Sequence, residues 1–172
     1  MIPLTVSEKE FIYIKDIIKK EISKISKENN IKINCKIGTM IETPRAAIIS
    51  DKLALESDFF SYGTNDLTQL TYGFSRDDTP KFINDYYDKK IFEKDPFKTI
   101  DEKGVLKLVD MSIKNARKIN NKIELGVCGE HASDKSSIYN FYKLGLDYIS
   151  CSVYRIPSAK LAAAQAEIEL KK

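Results

Sequence analysis

The stretch Phe59-Phe60-Ser61-Tyr62-Gly63-Thr64-Asn65-Asp66-Leu67 decides the fold class of this chain. Its first four residues have strand character and run directly into a glycine, two small polar residues and a carboxylate. A helix-compatible run follows at once. This order is typical of a buried parallel strand whose carboxyl end opens into a site.

Three features of this strand end favour an anion bound beside a divalent ion. Gly63 has no side chain, so a ligand can approach the backbone closely. The amides of Thr64, Asn65 and Asp66 lie at a predicted helix start, where N–H groups lack intrahelical partners and favour an anion. The Asp66 carboxylate adds a hard oxygen ligand. We therefore expect a phosphorylated or carboxylated small molecule with a divalent ion.

The rest of the chain alternates predicted strands and helices. Besides the quoted stretch, the predicted strands are residues 1–4, 33–42, 123–127 and 148–152. Apolar periodicity predicts the intervening helices, most clearly at residues 104–120, whereas residues 73–96 break the pattern into a long loop. The alternation predicts an α/β fold of parallel strands joined by crossover helices, with ligands at the carboxyl ends of the strands.

Glu42, Asp66 and Cys128 all fall at predicted strand ends. The first two suit Mg²⁺, which takes one or two protein carboxylates together with waters and substrate oxygens. A pair of solvent-exposed acids at loop starts is the competing interpretation. Cys128 is either a packed small apolar residue or a general acid, since a thiol ordinarily loses its proton near pH ~8.5.

Two further side chains are candidates for chemistry. His131 is the only histidine, and a structural hydrogen bond in a loop is favoured over a role as acid, base or phosphate carrier. Arg76, inside the long loop, can hold a phosphate or carboxylate through two parallel hydrogen bonds. An ion pair with Asp77 or Asp78 is the alternative for this arginine.

Composition narrows the class of protein. The chain has 172 residues, enough for one domain with a real core, and 28 basic residues mixed with 25 acidic ones, which does not indicate a nucleic-acid surface. Three cysteines with no close pair argue against a disulfide framework and fit a reducing cytoplasm. No apolar run approaches the ~18 residues of a membrane span, and the first residues do not form a signal peptide.

Four blocks of sequence carry a resemblance to a known family. They are Gly38-Thr39-Met40-Ile41-Glu42-Thr43-Pro44-Arg45-Ala46-Ala47, residues 59–78, Cys128-Gly129-Glu130-His131 and residues 150–166. Together they resemble the C-terminal domain of the pyruvate phosphate dikinase family of phosphoenolpyruvate-utilising enzymes. Phosphoenolpyruvate synthase and enzyme I of the sugar phosphotransferase system share the Gly-Thr/Ser-Asn-Asp core, but the stretch Gly73-Phe74-Ser75-Arg76-Asp77-Asp78 favours the dikinases.

The resemblance implies a TIM (β/α)₈ barrel, of which residues 1–172 would supply the C-terminal part, about five βα units. It implies pyruvate or phosphoenolpyruvate as ligand with Mg²⁺, Glu42 and Asp66 as metal ligands, and Cys128 as the acid/base at the methylene carbon. The residues that it implies for substrate contact are Glu42, Gly63, Thr64, Asn65, Asp66 and Arg76. The reaction would convert ATP, pyruvate and phosphate to AMP, phosphoenolpyruvate and diphosphate.

The same resemblance implies parts that this sequence lacks. They are the earlier barrel strands, a nucleotide-binding domain and a phosphohistidine domain, since His131 is in the wrong context for the phosphate carrier. We therefore expect a single partial domain, inactive and poorly stable alone, that acts with those parts in a cytoplasmic homodimer. The alternatives are a non-catalytic dimerisation or partner-binding fragment, a synthase-like enzyme, or a free-standing Mg²⁺-dependent enolate enzyme.

Overall fold

One four-stranded parallel sheet organises the computed structural model, which describes residues 1–171. Its strands are β1 (Thr39–Ile41), β2 (Phe59–Gly63), β3 (Glu124–Cys128) and β4 (Tyr148–Ile149). They lie side by side in chain order, and every neighbouring pair is parallel. The predicted α/β class, a partial TIM-barrel-like unit, is confirmed.

Helices fill the connections between these strands. They are α1 (Glu8–Glu28), α2 (Pro44–Ile48), α3 (Ser50–Ala54), α4 (Thr64–Tyr72), α5 (Ile83–Asp88), α6 (Val105–Ile119), α7 (Lys135–Lys143) and α8 (Ile156–Leu170). Short 3₁₀ turns occur at Thr79–Lys81, Glu130–Ser133 and Val153–Arg155. None of the helices in residues 1–171 has the length and apolar character needed to cross a membrane.

Three predicted strands are shorter than expected. The strand predicted at residues 33–42 pairs only over β1, because Thr39 lies opposite Phe60 and residues 33–37 extend past the first residue of β2. There the Asp58 side chain accepts a hydrogen bond from the Ile37 amide at 2.6 Å. The strand predicted at 148–152 ends at Ile149. The expected strand at residues 1–4 is a single parallel bridge between Ile2 and Thr39.

The two faces of the sheet differ in side-chain size. Phe60 and Tyr62 of β2 are fully buried in the main core, and the Tyr62 hydroxyl lies 3.0 Å from the Ser112 hydroxyl of α6. Because side chains alternate along a strand, Ser61 and Gly63 lie on the opposite face. There they stand beside Gly126 and Cys128 of β3. This face of small and polar residues is the one that leads to the site.

Residues 73–96, here called the arm, form a folded excursion. Five rings pack together with centroid separations of 5.1–6.4 Å. This aromatic cluster consists of Tyr72, Phe74, Phe82, Tyr86 and Phe92. Edge-to-face and offset aromatic pairs give the arm a small core of its own, which explains how so long a connection is held in one conformation.

Candidate active site

The carboxyl ends of β1, β2 and β3 meet at one edge of the sheet. Gly63 lies opposite Cys128, and Ile41 lies opposite Tyr62, so Glu42 follows at the level of Gly63. A methyl group built on Gly63 would stand 2.7 Å from the Oε2 atom of Glu42. The space above Gly63, predicted to admit a ligand, is therefore bordered directly by the Glu42 carboxylate.

Glu42 and Asp66 form a carboxylate pair. Glu42 is buried, and its Oε1 atom accepts a hydrogen bond from the Leu4 amide at 2.6 Å. Burial raises the pKa of Glu42, the Leu4 bond opposes that rise, and the charge of Asp66 and a hydrogen bond with it raise the pKa further. The two acids predicted to act together are thus close enough for the charge of one to affect the pKa of the other.

This pair fits a divalent cation. Two carboxylates in contact repel each other unless a proton or a cation lies between them. Within residues 1–171 no group of three or more His, Cys, Asp or Glu side chains has the arrangement of a metal site. Mg²⁺ needs only one or two protein carboxylates, with the remaining oxygens from water and ligand. The donors that Glu42 and Asp66 offer are of the chemical type that Mg²⁺ prefers.

The Cys128 thiol is half-buried beside these acids. Burial raises the pKa of Cys128, a hydrogen bond with Ser61 lowers it, and the charges of Glu42 and Asp66 raise it again. The thiol therefore stays protonated at neutral pH. A protonated group next to two carboxylates is suited to give a proton to a reacting carbon.

Ser61 and Tyr148 are neighbours of Cys128 that sequence reasoning missed. Tyr148 lies against Gly126, where an added methyl would meet its ring. Its hydroxyl donates a hydrogen bond to the Phe60 carbonyl oxygen at 3.3 Å, one residue before Ser61, and burial raises the pKa of Tyr148. The Sγ atom of Cys128 lies 3.6 Å from the Tyr62 carbonyl oxygen, one residue after Ser61. The available signal was the alternation along β2, which places Ser61 on the same face as Gly63.

Thr64 and Asn65 are both tied to the turn that follows β3. The Thr64 hydroxyl lies 3.1 Å from the Cys128 carbonyl oxygen, and the Asn65 side-chain oxygen accepts from the Glu130 amide at 3.2 Å. Gly129 has φ +103°, and a methyl there would stand 2.9 Å from the Asn65 oxygen. Only glycine combines that backbone conformation with so close an approach.

His131 makes the structural hydrogen bonds that the sequence interpretation favoured. The ring is fully buried, with Nδ1 2.7 Å from the Thr64 hydroxyl and Nε2 2.8 Å from the Pro96 carbonyl oxygen. Burial lowers the pKa of His131, and the bond to Pro96 only partly opposes this. The imidazole is therefore neutral at physiological pH.

Arg76 reaches the rim of the site. Its Nη2 atom lies 3.2 Å from Oε1 of Glu130, while Asp77 and Asp78, the partners considered from sequence, are not the ones that it contacts. Glu130 lies two residues after Cys128, so the arm is fastened next to the thiol. The guanidinium is largely exposed and can reorient towards an anion in the site.

A cavity of about 460 Å³ opens beside Cys128. It is bordered by Asn65, Glu130, Ser150 and Arg155 as well as by the thiol. Arg155, which the sequence interpretation did not single out, follows the end of β4 and is the arginine that lines this cavity. The size and the mixed polar lining suit a small anionic molecule.

Comparisons with known proteins agree with this arrangement. Residues 1–168 match the family described as PEP-utilising enzyme, PEP-binding domain. The chain is 48% identical to the pyruvate, phosphate dikinase of Clostridium symbiosum over 99% of its residues and 20% of that protein. It is 50% identical to the dikinase of Rickettsia conorii over 98% of its residues and 19% of that protein. Against the chloroplastic dikinase 1 of Arabidopsis thaliana it is 46% identical, over 98% and 17%.

The chain belongs to the PEP-binding domain family of PEP-utilising enzymes. Its curated relatives are pyruvate, phosphate dikinases, and the resemblance drawn from the sequence is confirmed at this level. The chain spans about a fifth of the length of these relatives.

Proposed function

We propose that this chain supplies the pyruvate and phosphoenolpyruvate half-site of a pyruvate, phosphate dikinase, a phosphotransferase. The observation that carries the proposal is the meeting of Glu42, Asp66 and Cys128 at one edge of the sheet. Two carboxylates for a cation and a protonated thiol are the groups that enolate chemistry on a small ketoacid requires. The high identity to proteins of that name supports the same reaction.

The thiol of Cys128 is the proposed acid/base at the methyl carbon. In the direction of pyruvate formation, it donates its proton to the methylene carbon as the enolate collapses to the ketoacid. In the opposite direction, the thiolate removes a methyl proton. Burial raises the pKa of Cys128, which makes the thiol the resting form and the donor role the easier one at neutral pH.

Glu42 and Asp66 are the proposed ligands of Mg²⁺. When bound, the ion would polarise the ketoacid carbonyl and stabilise the negative charge that develops on its oxygen. Asp66 also belongs to the cradle, defined here as residues 64–66, whose amides open the first turn of α4. No side chain caps this helix start, so the amides are available to an anionic group of the ligand. Gly63 borders this cradle.

Arg76 and Asn65 are the proposed contacts at the rim. Arg76 can exchange its exposed Glu130 partner for a substrate phosphate or carboxylate, because an exposed ion pair contributes little stability. Asn65 borders the cavity, and its side-chain oxygen is held by the turn after β3, which leaves its amide nitrogen for a ligand. Together they fix the orientation of the ligand relative to Cys128.

Further parts of a dikinase are proposed as partners of this domain. The phosphoryl group that the enolate oxygen accepts would come from a phosphohistidine domain, and additional parallel strands would complete the barrel. We also propose homodimerisation in the complete enzyme and a cytoplasmic location. The three cysteines, all free, suit a reducing compartment.

Isotope exchange at the methyl group of pyruvate tests the half-site. We expect Mg²⁺-dependent exchange of solvent deuterium when the chain is combined with the preceding barrel segment of a close relative, and little without it. Cys128→Ala should abolish this exchange while leaving Mg²⁺-dependent pyruvate binding in place. Exchange that survives in Cys128→Ala would refute the role of the thiol.

The metal role has its own test. Asp66→Asn keeps the size of the side chain and removes its charge, so Mg²⁺-dependent pyruvate binding should be lost while the circular dichroism spectrum stays unchanged. Asp77→Asn is the matched control, since Asp77 lies on the arm outside the carboxylate pair. Unchanged binding in Asp66→Asn would refute the assignment of this ligand.

A second candidate function is that of a non-catalytic partner-binding module. The observation that favours it is a row of exposed apolar side chains on and before α8, in which Tyr154 is 95% exposed and Leu161 and Ile168 are about 60% exposed. Leu161 and Ile168 are seven residues apart on α8 and so share one side of that helix, and Tyr154 lies in the turn before it. Absence of methyl exchange even with the preceding segment present would favour this module.

A further inference from the structure

The only histidine of the chain has no part in the proton transfer proposed above, yet it is fully buried next to the site. Its Nε2 atom lies 2.8 Å from the Pro96 carbonyl oxygen, which can only accept a hydrogen bond. The proton of the neutral ring therefore resides on Nε2, and Nδ1 is an acceptor. At 2.7 Å from Nδ1, the Thr64 hydroxyl is its donor.

The hydroxyl of Thr64 has one proton and two possible acceptors. The Cys128 carbonyl oxygen lies at 3.1 Å and Nδ1 of His131 at 2.7 Å. The shorter contact to a basic nitrogen takes the proton. The side chain of Thr64, itself fully buried, is therefore held by His131 in one rotamer, turned towards the turn after β3.

That rotamer matters because Thr64 is the first residue of α4. The capping position before it is Gly63, which has no side chain, so no side chain competes for the free amides of the first turn. The hydrogen bond between Thr64 and His131 instead fastens the first residue of the helix to the turn after β3. The position of the cradle amides relative to that turn therefore depends on this bond.

We propose that His131 is a positioning residue that fixes the cradle relative to the turn after β3 by holding the Thr64 hydroxyl. This proposal deepens the proposed function and rests on it, because the cradle is the anion-binding part of that site. The same imidazole fastens the end of the arm through Pro96. The other fastening, between Arg76 and Glu130, is an exposed ion pair and adds little.

Nuclear magnetic resonance of the imidazole tests the proton position directly. With one histidine in the untagged chain, every imidazole signal belongs to His131. We expect a proton on Nε2 that exchanges slowly with water and an unprotonated Nδ1. A proton on Nδ1, averaging between tautomers, or rapid exchange with water would overturn the proposal.

Two matched variants separate the two hydrogen bonds. His131→Asn places an amide at the level of Nδ1 and keeps a partner for Thr64, whereas His131→Gln reaches the level of Nε2 and keeps a partner for Pro96. Three-bond couplings of the Thr64 methyl should report one rotamer in the wild type and in His131→Asn, and averaging in His131→Gln. Averaging in both variants, or in neither, would overturn the proposal.

Ligand binding connects the rotamer to the cradle. In the complete enzyme assembly, His131→Gln should weaken Mg²⁺-dependent pyruvate binding by about tenfold, the effect of one lost hydrogen bond, and His131→Asn should restore it. Thr64→Val removes the same bond from the other side and should produce the same loss, without a further effect of His131→Gln. It also serves if His131→Gln does not fold.

The outcomes distinguish this proposal from the proposed function. If wild-type protein does not bind pyruvate, the proposed function fails, whereas the rotamer and tautomer results still decide the role of His131 in holding Thr64. If pyruvate binds equally well to wild type and both His131 variants, the positioning role is refuted while the half-site stands.

Discussion

Gly63→Ala is the sharpest perturbation of the carboxylate pair, because it adds one methyl group at the contact between two strand ends. That methyl would lie 2.7 Å from both Cβ and Oε2 of Glu42 and 2.9 Å from Sδ of Met40. Carbon atoms prefer separations of about 3.5–4.0 Å, so Glu42 must move by roughly 1 Å. The Met40 side chain is flexible at its end and can give way, whereas Glu42 Cβ belongs to the strand end itself.

The loss of stability caused by Gly63→Ala can be estimated from the packing around the new methyl group. Overpacking of a buried site costs about 1–3 kcal/mol. A shift of Glu42 also endangers its 2.6 Å hydrogen bond with the Leu4 amide, which is worth about 1 kcal/mol or more. For a chain of this size each kcal/mol lowers Tm by about 2–4 °C. We therefore expect overpacking alone to lower the Tm of Gly63→Ala by about 2–12 °C, and loss of the Leu4 bond to lower it further.

A thermodynamic cycle with Glu42→Gly isolates the contact. This second substitution removes both the Cβ and the carboxylate that the new methyl meets. Urea unfolding of the four proteins should show that Gly63→Ala costs at least about 1 kcal/mol less in the Glu42→Gly background. Mg²⁺-dependent pyruvate binding should also weaken in Gly63→Ala, since the carboxylate pair is displaced.

Gly73→Ala is the matched control for this cycle. Gly73 has φ +68° and open space around its missing side chain, so its cost is backbone strain of about 1 kcal/mol and should not depend on Glu42. If the costs of Gly63→Ala and Glu42→Gly simply add within about 0.5 kcal/mol, the proposed contact between these strand ends is refuted.

Three further predictions concern charge, reactivity and assembly. Burial raises the pKa of Glu42, so its stabilising contribution to folding is present below the pKa of the unfolded state and is lost as pH rises through the pKa of the folded state. Glu42→Gln should therefore raise the free energy of unfolding in urea at pH ~7 but not at pH ~4. A difference in stability between Glu42→Gln and wild type that does not depend on pH would contradict this. Burial raises the pKa of Cys128, so its alkylation should reach half the limiting rate at a higher pH than alkylation of a small-molecule thiol. Comparison with Cys128→Ala identifies the signal of this thiol. An equal or lower midpoint pH would contradict the buried environment. The β4 edge of the sheet has no further strand within residues 1–171, so the isolated chain should self-associate; a compact monomer on gel filtration would overturn that expectation.

The order of strands could be predicted from local sequence, but the length of β1 could not. The residues that precede Gly63 predict β2, because strand-forming residues, a glycine and small polar residues follow one another in that order. The run before Glu42 looks equally strand-like over residues 33–42, yet only Thr39–Ile41 pairs. Pairing of this run is limited by where its neighbour β2 begins, and the residues of the run itself do not contain that information.

Part of the candidate site follows from equivalent positions in a repeating pattern. Glu42, Asp66 and Cys128 each stand just at or after a predicted strand end, and parallel strands bring those ends to one edge. The positions of Ser61 and Tyr148 next to each other could not be predicted from this pattern, because they depend on which residues of neighbouring strands lie opposite one another. Ser61 and Tyr148 are both paired with Gly126, which draws them together across β3.

The partner of Arg76 shows a different limit of sequence reasoning. Its sequence neighbours Asp77 and Asp78 offer the obvious charges, but the structure pairs it with Glu130, 54 residues away. Exposed ion pairs are weak, so charge alone does not choose among such partners. The choice is made by the path of the arm, which the aromatic cluster fixes through contacts spread over residues 72–92.

One short turn after β3 joins the separate parts of the site. Cys128 ends the strand, Glu130 holds Asn65 through its amide and Arg76 through its carboxylate, and His131 holds Thr64. All of these contacts depend on the left-handed backbone at Gly129, φ +103°. Any other residue at that position would strain the turn and press on Asn65, and so would disturb the thiol, the cradle and the arm together. The turn therefore sets the position of the Cys128 thiol relative to the amides of the cradle, and the strands of the sheet hold the turn in place.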